Sequence, residues 1–348
     1  MFWVLIMANN KHKGRVTLRD VAQHANVSAS TVSRALNNHE HVHEATRAII
    51  QKAVEELNYP LEKLRSATSA QKAILLLSRG DFSEGSSDIS FGPNFEKLVS
   101  GGVRAVLEAR GCELTLQHSY MTGDDARAVI ENFSGAGVIV LGGLADVDFV
   151  RTLQASNIPF VIAGSHYKPL AVNWVMADII DGMEQAVAHL VARGRRKIGL
   201  VNSSSMTKTS GEKLKGLRLA LHEYGLPFCP EQVIGSRDYD LEAGYRQTLE
   251  LLDRAELDAI IYGHDVMATG GLHALKERGC KIPDDIAVVG FLDYQIARFT
   301  NPPLTTIRFD MPLMGMIAAR RLCMMIDEAD RENWSMLVPT ELVIREST

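Results

Sequence analysis

Between residues 17 and 59 the apolar positions recur at helical spacing. Leu18, Val21, Ala22 and Ala25 fall at i, i+3, i+4 and i+7, one face of a short helix, with Thr17 as its candidate N-cap and Asp20 three residues on. Asn26-Val27 predicts a tight turn. Ser28 then predicts the cap of a second helix, with Val32, Ala35 and Leu36 inward and Ala29, Ser30, Ser33 and Arg34 outward. A third helix is expected over 44–58, with Ile49, Ala53, Val54 and Leu57 inward and Pro60 as its stop. Two short helices joined by so brief a turn, the second with a small polar outer face, predict a helix-turn-helix.

Residues 61–72 are polar and rich in Ala and Ser, which suits a linker. Beyond them the period changes. Apolar runs at 73–77, 114–116, 137–141, 160–163, 198–201, 259–262 and 287–291 alternate with amphipathic stretches, three of which end at Gly111, Gly225 and Gly279. Continuous apolar strands separated by helices predict a parallel sheet covered on both faces, and glycines at these positions predict helix C-caps. About 275 residues of this pattern suffice for two doubly wound subdomains, with ligands bound beyond the carboxyl ends of the strands. The expected organisation is a tail over 1–14, a helix-turn-helix headpiece over 15–59, a hinge over 60–72 and an α/β region over 73–348.

Composition narrows the function. With 46% hydrophobic and 23% charged residues in 348, the chain can bury a sizeable core. No apolar run approaches the roughly 18 residues of a membrane span. The apolar start MFWVLIM lacks the basic flank and small-residue cleavage site of an export signal, so Met7 is a candidate start. Cys112, Cys229, Cys280 and Cys323 lie far apart with no CxxC spacing and read as reduced, buried thiols. Charge is unevenly divided: residues 1–72 carry ten Lys/Arg against six Asp/Glu, net +4, which leaves −9 on the rest of a chain of net −5. The basic end is where a polyanion would bind. His39-Glu40-His41-Val42-His43 satisfies HExxH literally, but it follows Asn37-Asn38 and bridges two helices in a basic region, so no metal site is expected there. Without a P-loop, GxSxG or GxGxxG motif the chain offers no catalytic constellation, and no cofactor is expected.

Val16-Thr17-Leu18-Arg19-Asp20-Val21-Ala22, the run from Val27 through Ser30-Thr31-Val32-Ser33-Arg34 to Asn37, Thr46-Arg47 and Leu57-Asn58-Tyr59 together resemble the N-terminal signature of the lactose/galactose repressor family. The likeness continues through Ile282-Pro283-Asp284-Asp285-Ile286 and Pro302-Pro303-Leu304-Thr305-Thr306-Ile307. It implies a cytoplasmic, homodimeric transcription regulator, a repressor in preference to an activator, with an effector domain similar to periplasmic sugar-binding proteins. Its two subdomains would be built from 73–193 plus 311–335 and from 194–307 plus 336–348. The resemblance places base contacts at Ala29, Ser30 and Arg34, where arginine can donate two hydrogen bonds to guanine. It places backbone contacts at Thr17, Ser28, Thr31, Ser33, Asn37 and His41, which set register and carry little sequence information. Two subunits imply a near-palindromic operator. In the hinge the family's minor-groove lever falls on Ala67 or Thr68, with Leu64 as the alternative, and His43 replaces the serine that usually caps the third helix.

The family's effector contacts map onto Asn94, Phe95, Asp178, Lys213, Tyr239, His264, Asp265, Leu292 and Phe309. Lys213 stands where most relatives carry arginine, His264 replaces an asparagine, and Leu292 replaces an aspartate that grips sugar hydroxyls. All three departures move the pocket's potential in the positive direction. The expected effector is therefore a sugar or a sugar acid, with Asp178, Tyr239 and Asp265 on its hydroxyls, Lys213 on a carboxylate and His264 as a second cation. The rival readings are a ligand-binding or transport module without a DNA role, disfavoured by the +4 headpiece, and a zinc hydrolase resting on HExxH alone. A chain ending after the strand-like 341–345 without a heptad tail favours a dimer over a tetramer.

Overall fold

The computed structural model describes residues 18–36, 42–57, 59, 73–79, 93–143, 145–203, 207–236, 238–328 and 330–348. They fall into two units, one within 1–69 and one within 70–348. No described helix is long and apolar enough to cross a membrane.

The first unit holds α1 (Leu18–His24), α2 (Ala29–Leu36) and α3 (Glu44–Glu56). Asn26 adopts φ 54° in the turn, a conformation asparagine tolerates. Val27 N–H then donates to Ala22 O at 3.0 Å, and Ser28 Oγ accepts from Thr31 N–H at 3.1 Å, the predicted cap. Val21, Ala22, Ala25, Val32, Ala35, Ile50, Ala53 and Val54 form the core. Arg47 ties α3 to α2 by donating to Ala35 O at 2.9 Å. The third helix departs from expectation in phase and length. Ile49 is 54% exposed and Ile50 takes the core position, since 50, 53, 54 and 57 are the residues that share one face. α3 ends at Glu56, two residues early, with Leu57 N–H donating to Ala53 O at 3.1 Å.

His43 occupies the N-cap of α3 with no side-chain cap hydrogen bond. A serine there has an oxygen that reaches the N–H groups of the first turn. His43→Ser is therefore expected to stabilise this unit by about 0.5–1 kcal/mol, read as an upward shift of its transition in thermal denaturation of the full chain. An unchanged or lowered transition would mean that the cap is not what limits this helix.

The second unit contains two six-stranded sheets. Strands β1 (Ala73–Arg79), β2 (Glu113–Ser119), β3 (Gly137–Leu141), β4 (Phe160–Ala163), β5 (Asn173–Ala177) and β11 (Ser335–Val338) form the first, in the order β11-β5-β4-β3-β1-β2, all parallel. The second holds β6 (Ile198–Ser203), β7 (Val233–Ser236), β8 (Ala259–Tyr262), β9 (Ala287–Phe291), β10 (Thr305–Phe309) and β12 (Thr340–Val343), in the order β12-β10-β9-β8-β6-β7. Only β12 runs antiparallel to its neighbour. The helices between are α4 (Pro93–Glu108), α5 (Gly123–Asn132), α6 (Val147–Ala155), α7 (Ile179–Ala192), α8 (Lys208–Glu223), α9 (Leu241–Arg254), α10 (Asp265–Glu277) and α11 (Met311–Asp327). Gly111, Gly225 and Gly279 have φ of 63°, 66° and 77°, the left-handed C-cap geometry read from sequence.

Several expectations change. The strand expected at 114–116 is the exposed edge strand β2, whose Leu116 faces solvent, and is not covered on both faces. Strands β5, β7, β10 and β11 were not predicted; β7 and β10 are broken by glycine or polar residues, whereas β5 carries the apolar run Trp174–Ala177 directly after Asn173. The chain passes between the sheets at Asp178, Asp310 and Pro339, not at 193 and 335: α7 already packs on β12 and β10, and β11 runs to Val338 inside the first sheet. Of the four cysteines, all free, only Cys323 is buried.

Candidate functional site

The carboxyl ends of both sheets converge on a cleft of about 480 Å³. From the first sheet it receives Gly164 after β4, Ala177 at the end of β5 and Ile179 at the start of α7, together with Phe95 of α4 and Met314 of α11. The second contributes Thr209 and Lys213 of α8, Tyr239 before α9, Gly263 and His264 after β8, Phe291 at the end of β9 and Leu292 after it, and Phe309 of β10. Strand ends are where a doubly wound sheet leaves side chains unsatisfied by its own ladder, so this placement follows from topology.

Lys213 lies one turn into the cleft face of α8 and is 6% exposed. Its ammonium sits over the Phe291 ring, 4.6 Å from the centroid. Burial brings it down to about 8, against the pull of Asp265. No described carboxylate forms an ion pair with it. His264 is the N-cap of α10, and its Nδ1 accepts from Val266 N–H at 3.2 Å. That bond places the ring proton on Nε2, which is buried and has no protein partner. Burial first, and the Lys213 charge second, push His264 down to about 3. It is a neutral donor, not the second cation the sequence suggested. Tyr239, edge-on to His264 with ring centroids 6.3 Å apart, carries a hydroxyl that is likewise buried without a partner.

The two expected sugar-binding aspartates are spent elsewhere. Asp265 is fully buried beneath the cleft, accepting from Thr306 Oγ1 at 2.6 Å and from Tyr294 N–H at 2.7 Å. Burial raises it to about 7, with those two hydrogen bonds opposing. Its place exists because Gly290 has no side chain: a Cβ there would stand 2.2 Å from Asp265 Oδ1. Asp178 caps α7, accepting from Asp181 N–H at 3.2 Å, and does not line the cleft. Leu292 does line it, in a backbone conformation of φ 106° that leucine rarely adopts. The turn is held from outside the cleft: Leu292 N–H donates to Ile307 O at 2.7 Å, and the buried Asp293 carboxylate pairs with Arg345 and Arg308.

Of the residues singled out from sequence, Phe95, Lys213, Tyr239, His264, Leu292 and Phe309 come together in the cleft; the side chain of Asn94 lies outside the described structure. Ile179, Thr209, Phe291 and Met314 were missed. Their signal is position, since each sits at a strand end or in a helix turn facing one. Across the same unit His166 Nε2, after β4, meets Glu212 Oε1 of α8 at 3.1 Å and joins the two halves. In the first unit Ser28 and Thr31 stand at the start of α2, as expected of the recognition element. The side chains of Ala29, Ser30, Ser33 and Arg34, and residues Thr17, Asn37, His41, Leu64, Ala67 and Thr68, lie outside the described residues. So do His39 and Glu40 of the HExxH pattern; His43 itself stands before the first turn of α3.

Two family descriptions match the chain: bacterial regulatory proteins, lacI family, over residues 17–60, and periplasmic binding protein-like domain over 187–348. The HTH-type transcriptional regulator CelR of Thermobifida fusca is 30% identical over 351 residues, covering 97% of this chain and 99% of its own. A solved structure described as a transcriptional regulator CelR–cellobiose complex superposes with a TM-score of 0.71 at 28% identity, over 96% of this chain and 100% of that one. The lac repressor dimer bound to operator and the anti-inducer ONPF superposes with a TM-score of 0.72 at 25% identity, over 96% of this chain and 99% of that one.

Proposed function

The chain belongs to the LacI family of bacterial regulatory proteins, and on that premise we propose that it is a cytoplasmic homodimer whose paired headpieces grip a near-palindromic operator under control of a small-molecule effector in the cleft. It is a DNA-binding transcription repressor and not an enzyme. The observation that carries the reading is the union on one chain of a helix-turn-helix capped at Ser28 with an α/β unit whose strand ends enclose a cleft lined by buried, unpartnered polar groups. Control follows from population shift: an effector that binds one arrangement of the two sheets better than the other biases the whole unit toward it. The passages at Asp178, Asp310 and Pro339, together with the His166–Glu212 bridge, are the parts that such a change of arrangement would move.

The test is selection of an operator from a random duplex pool, followed by affinity measurements at fixed salt. Arg34→Ala is expected to cost about 1–3 kcal/mol on the selected operator and to relax one base position. Ser33→Ala should weaken all sequences evenly. Failure to enrich any sequence would overturn the regulator reading; an equal loss by Arg34→Ala on every sequence would overturn the role of Arg34.

A further inference from the structure

A site that binds sugars by their hydroxyls must offer acceptors, because each buried hydroxyl brings a proton that needs an oxygen or nitrogen lone pair. Among the described lining residues the side-chain acceptors are two hydroxyls, Thr209 and Tyr239. Asp265 has both carboxylate oxygens engaged by Thr306 and Tyr294, Asp178 caps a helix, and position 292 is a leucine. Donors, by contrast, are in excess. Lys213 brings a buried ammonium, while His264 Nε2–H and the Tyr239 hydroxyl are buried with nothing to receive their protons. His264 is locked into this role, since its Nδ1 is committed to Val266 N–H. The rest of the lining is apolar: Phe95, Ile179, Phe291, Leu292, Phe309 and Met314.

Resting on the regulator reading, we propose that the effector is a hydroxyl-poor ring carboxylic acid. Its carboxylate takes Lys213 Nζ, His264 Nε2–H and the Tyr239 hydroxyl, and its ring packs among Phe95, Phe291 and Phe309. A carboxylate is the group that answers three converging donors, one of them charged, with two oxygens and about four lone-pair sites. It also supplies the counter-charge that a buried ammonium otherwise lacks. Among the described lining residues an extra ring hydroxyl meets apolar wall, the Tyr239 hydroxyl already on the carboxylate, or the lone Thr209 hydroxyl, which costs affinity.

The charge arrangement sets a pH signature. Lys213 loses its proton around 8, so acid binding weakens as pH rises through that value. Asp265, titrating around 7 beneath the cleft, acts in the same direction by adding negative charge as pH rises. His264, already neutral, contributes no change over this range, and Tyr294, which faces His264 at 5.1 Å, is raised by burial and then by Asp265 and stays protonated.

Calorimetry on the full chain at pH 7 with benzoate, cyclohexanecarboxylate, their carboxamides, gluconate and cellobiose tests this. The ring acids are expected to bind at least roughly tenfold more tightly than the carboxamides, gluconate or cellobiose. Lys213→Met should erase that preference and Lys213→Arg should keep it. Raising the pH to about 9.5 should weaken the acids and leave the carboxamides unchanged. Tighter binding of gluconate or cellobiose, no binding of either ring acid, or a preference that survives Lys213→Met would overturn the inference. Operator binding by the same preparations separates the two readings: if it is intact while the ring acids fail, only the effector assignment falls, whereas its absence removes the regulator reading itself.

Discussion

Replacing Arg321 by alanine is expected to lower the stability of the α/β unit by about 2–4 kcal/mol, from the loss of charge-assisted hydrogen bonds to partly buried acceptors together with buried volume. Arg321 projects from α11 and is 1% exposed. Its Nε donates to Asn173 Oδ1 at 2.8 Å, its two terminal nitrogens bond the Asp330 carboxylate and Glu332 O, and its guanidinium lies over Trp334 at 4.4 Å. Asn173 Oδ1 in turn accepts from Trp334 N–H at 2.9 Å, so the whole cluster fastens β11 onto β5. Alanine leaves a carboxylate and a carbonyl without their donor and opens a cavity beside the strand through which the chain makes its last passage between the sheets. Urea denaturation of wild type, Arg321→Ala and Arg321→Met separates the terms. Methionine restores volume without donors, so it should recover only a minor part of the loss. A loss below about 1 kcal/mol for the alanine variant would mean that the cluster is not a structural clamp.

A second large effect concerns pH. Asp265 titrates around 7 in the folded chain against about 4 when unfolded, so the folded state holds its proton more tightly. Stability contributed by that proton is fully present below pH 4 and is lost as pH rises toward 7. His264, lowered by burial, has the opposite slope between pH 3 and 6.5, and Lys213 gains stability only above pH 8, so wild type alone mixes all three. The difference between Asp265→Asn and wild type isolates the carboxyl. Asparagine is expected to gain relative to wild type from pH 4 to 7 by several kcal/mol, at roughly 1.4 kcal/mol per pH unit, and the rise should end near pH 7, once the wild-type carboxyl is ionised. Denaturation midpoints measured across that range check this, and a gap that does not change with pH would contradict it.

Most of the elements written in uninterrupted apolar residues were legible from the chain alone, β5 with its run Trp174–Ala177 being the exception. β3, β4, β8 and β9 have the bounds that their sequences predict, because residues buried on both faces of a parallel sheet leave no room for polar interruption. Local signals held equally well. Ser28 caps α2, and Gly111, Gly225 and Gly279 take the left-handed conformation, since each is decided within a few residues of its own position. The strands that escaped notice carry polar residues, and those residues are buried by partners far along the chain. Asn173 of β5 is bonded by Arg321, and Thr306 of β10 by Asp265. A polar residue reads as solvent-facing until its distant partner is known.

The same reason divides what was known of the cleft from what was not. Residue type and the resemblance sufficed to bring Phe95, Lys213, Tyr239, His264, Leu292 and Phe309 to one candidate site, and the structure gathers all six. Charge state and availability were beyond a linear reading. Asp178 and Asp265 look like free acceptors in sequence, yet the first is consumed by a helix N-terminus and the second by Thr306 and Tyr294. His264 looks like a cation, yet burial beside Lys213 keeps it neutral. Leu292 looks like an inert replacement, yet Asp293, Arg308 and Arg345 hold its backbone in a strained turn over the cleft. Helix, strand and cap follow from near neighbours along the chain. Which polar groups remain unsatisfied, and therefore what the cleft binds, depends on desolvation and on partners tens to hundreds of residues away, which only the folded chain brings within reach.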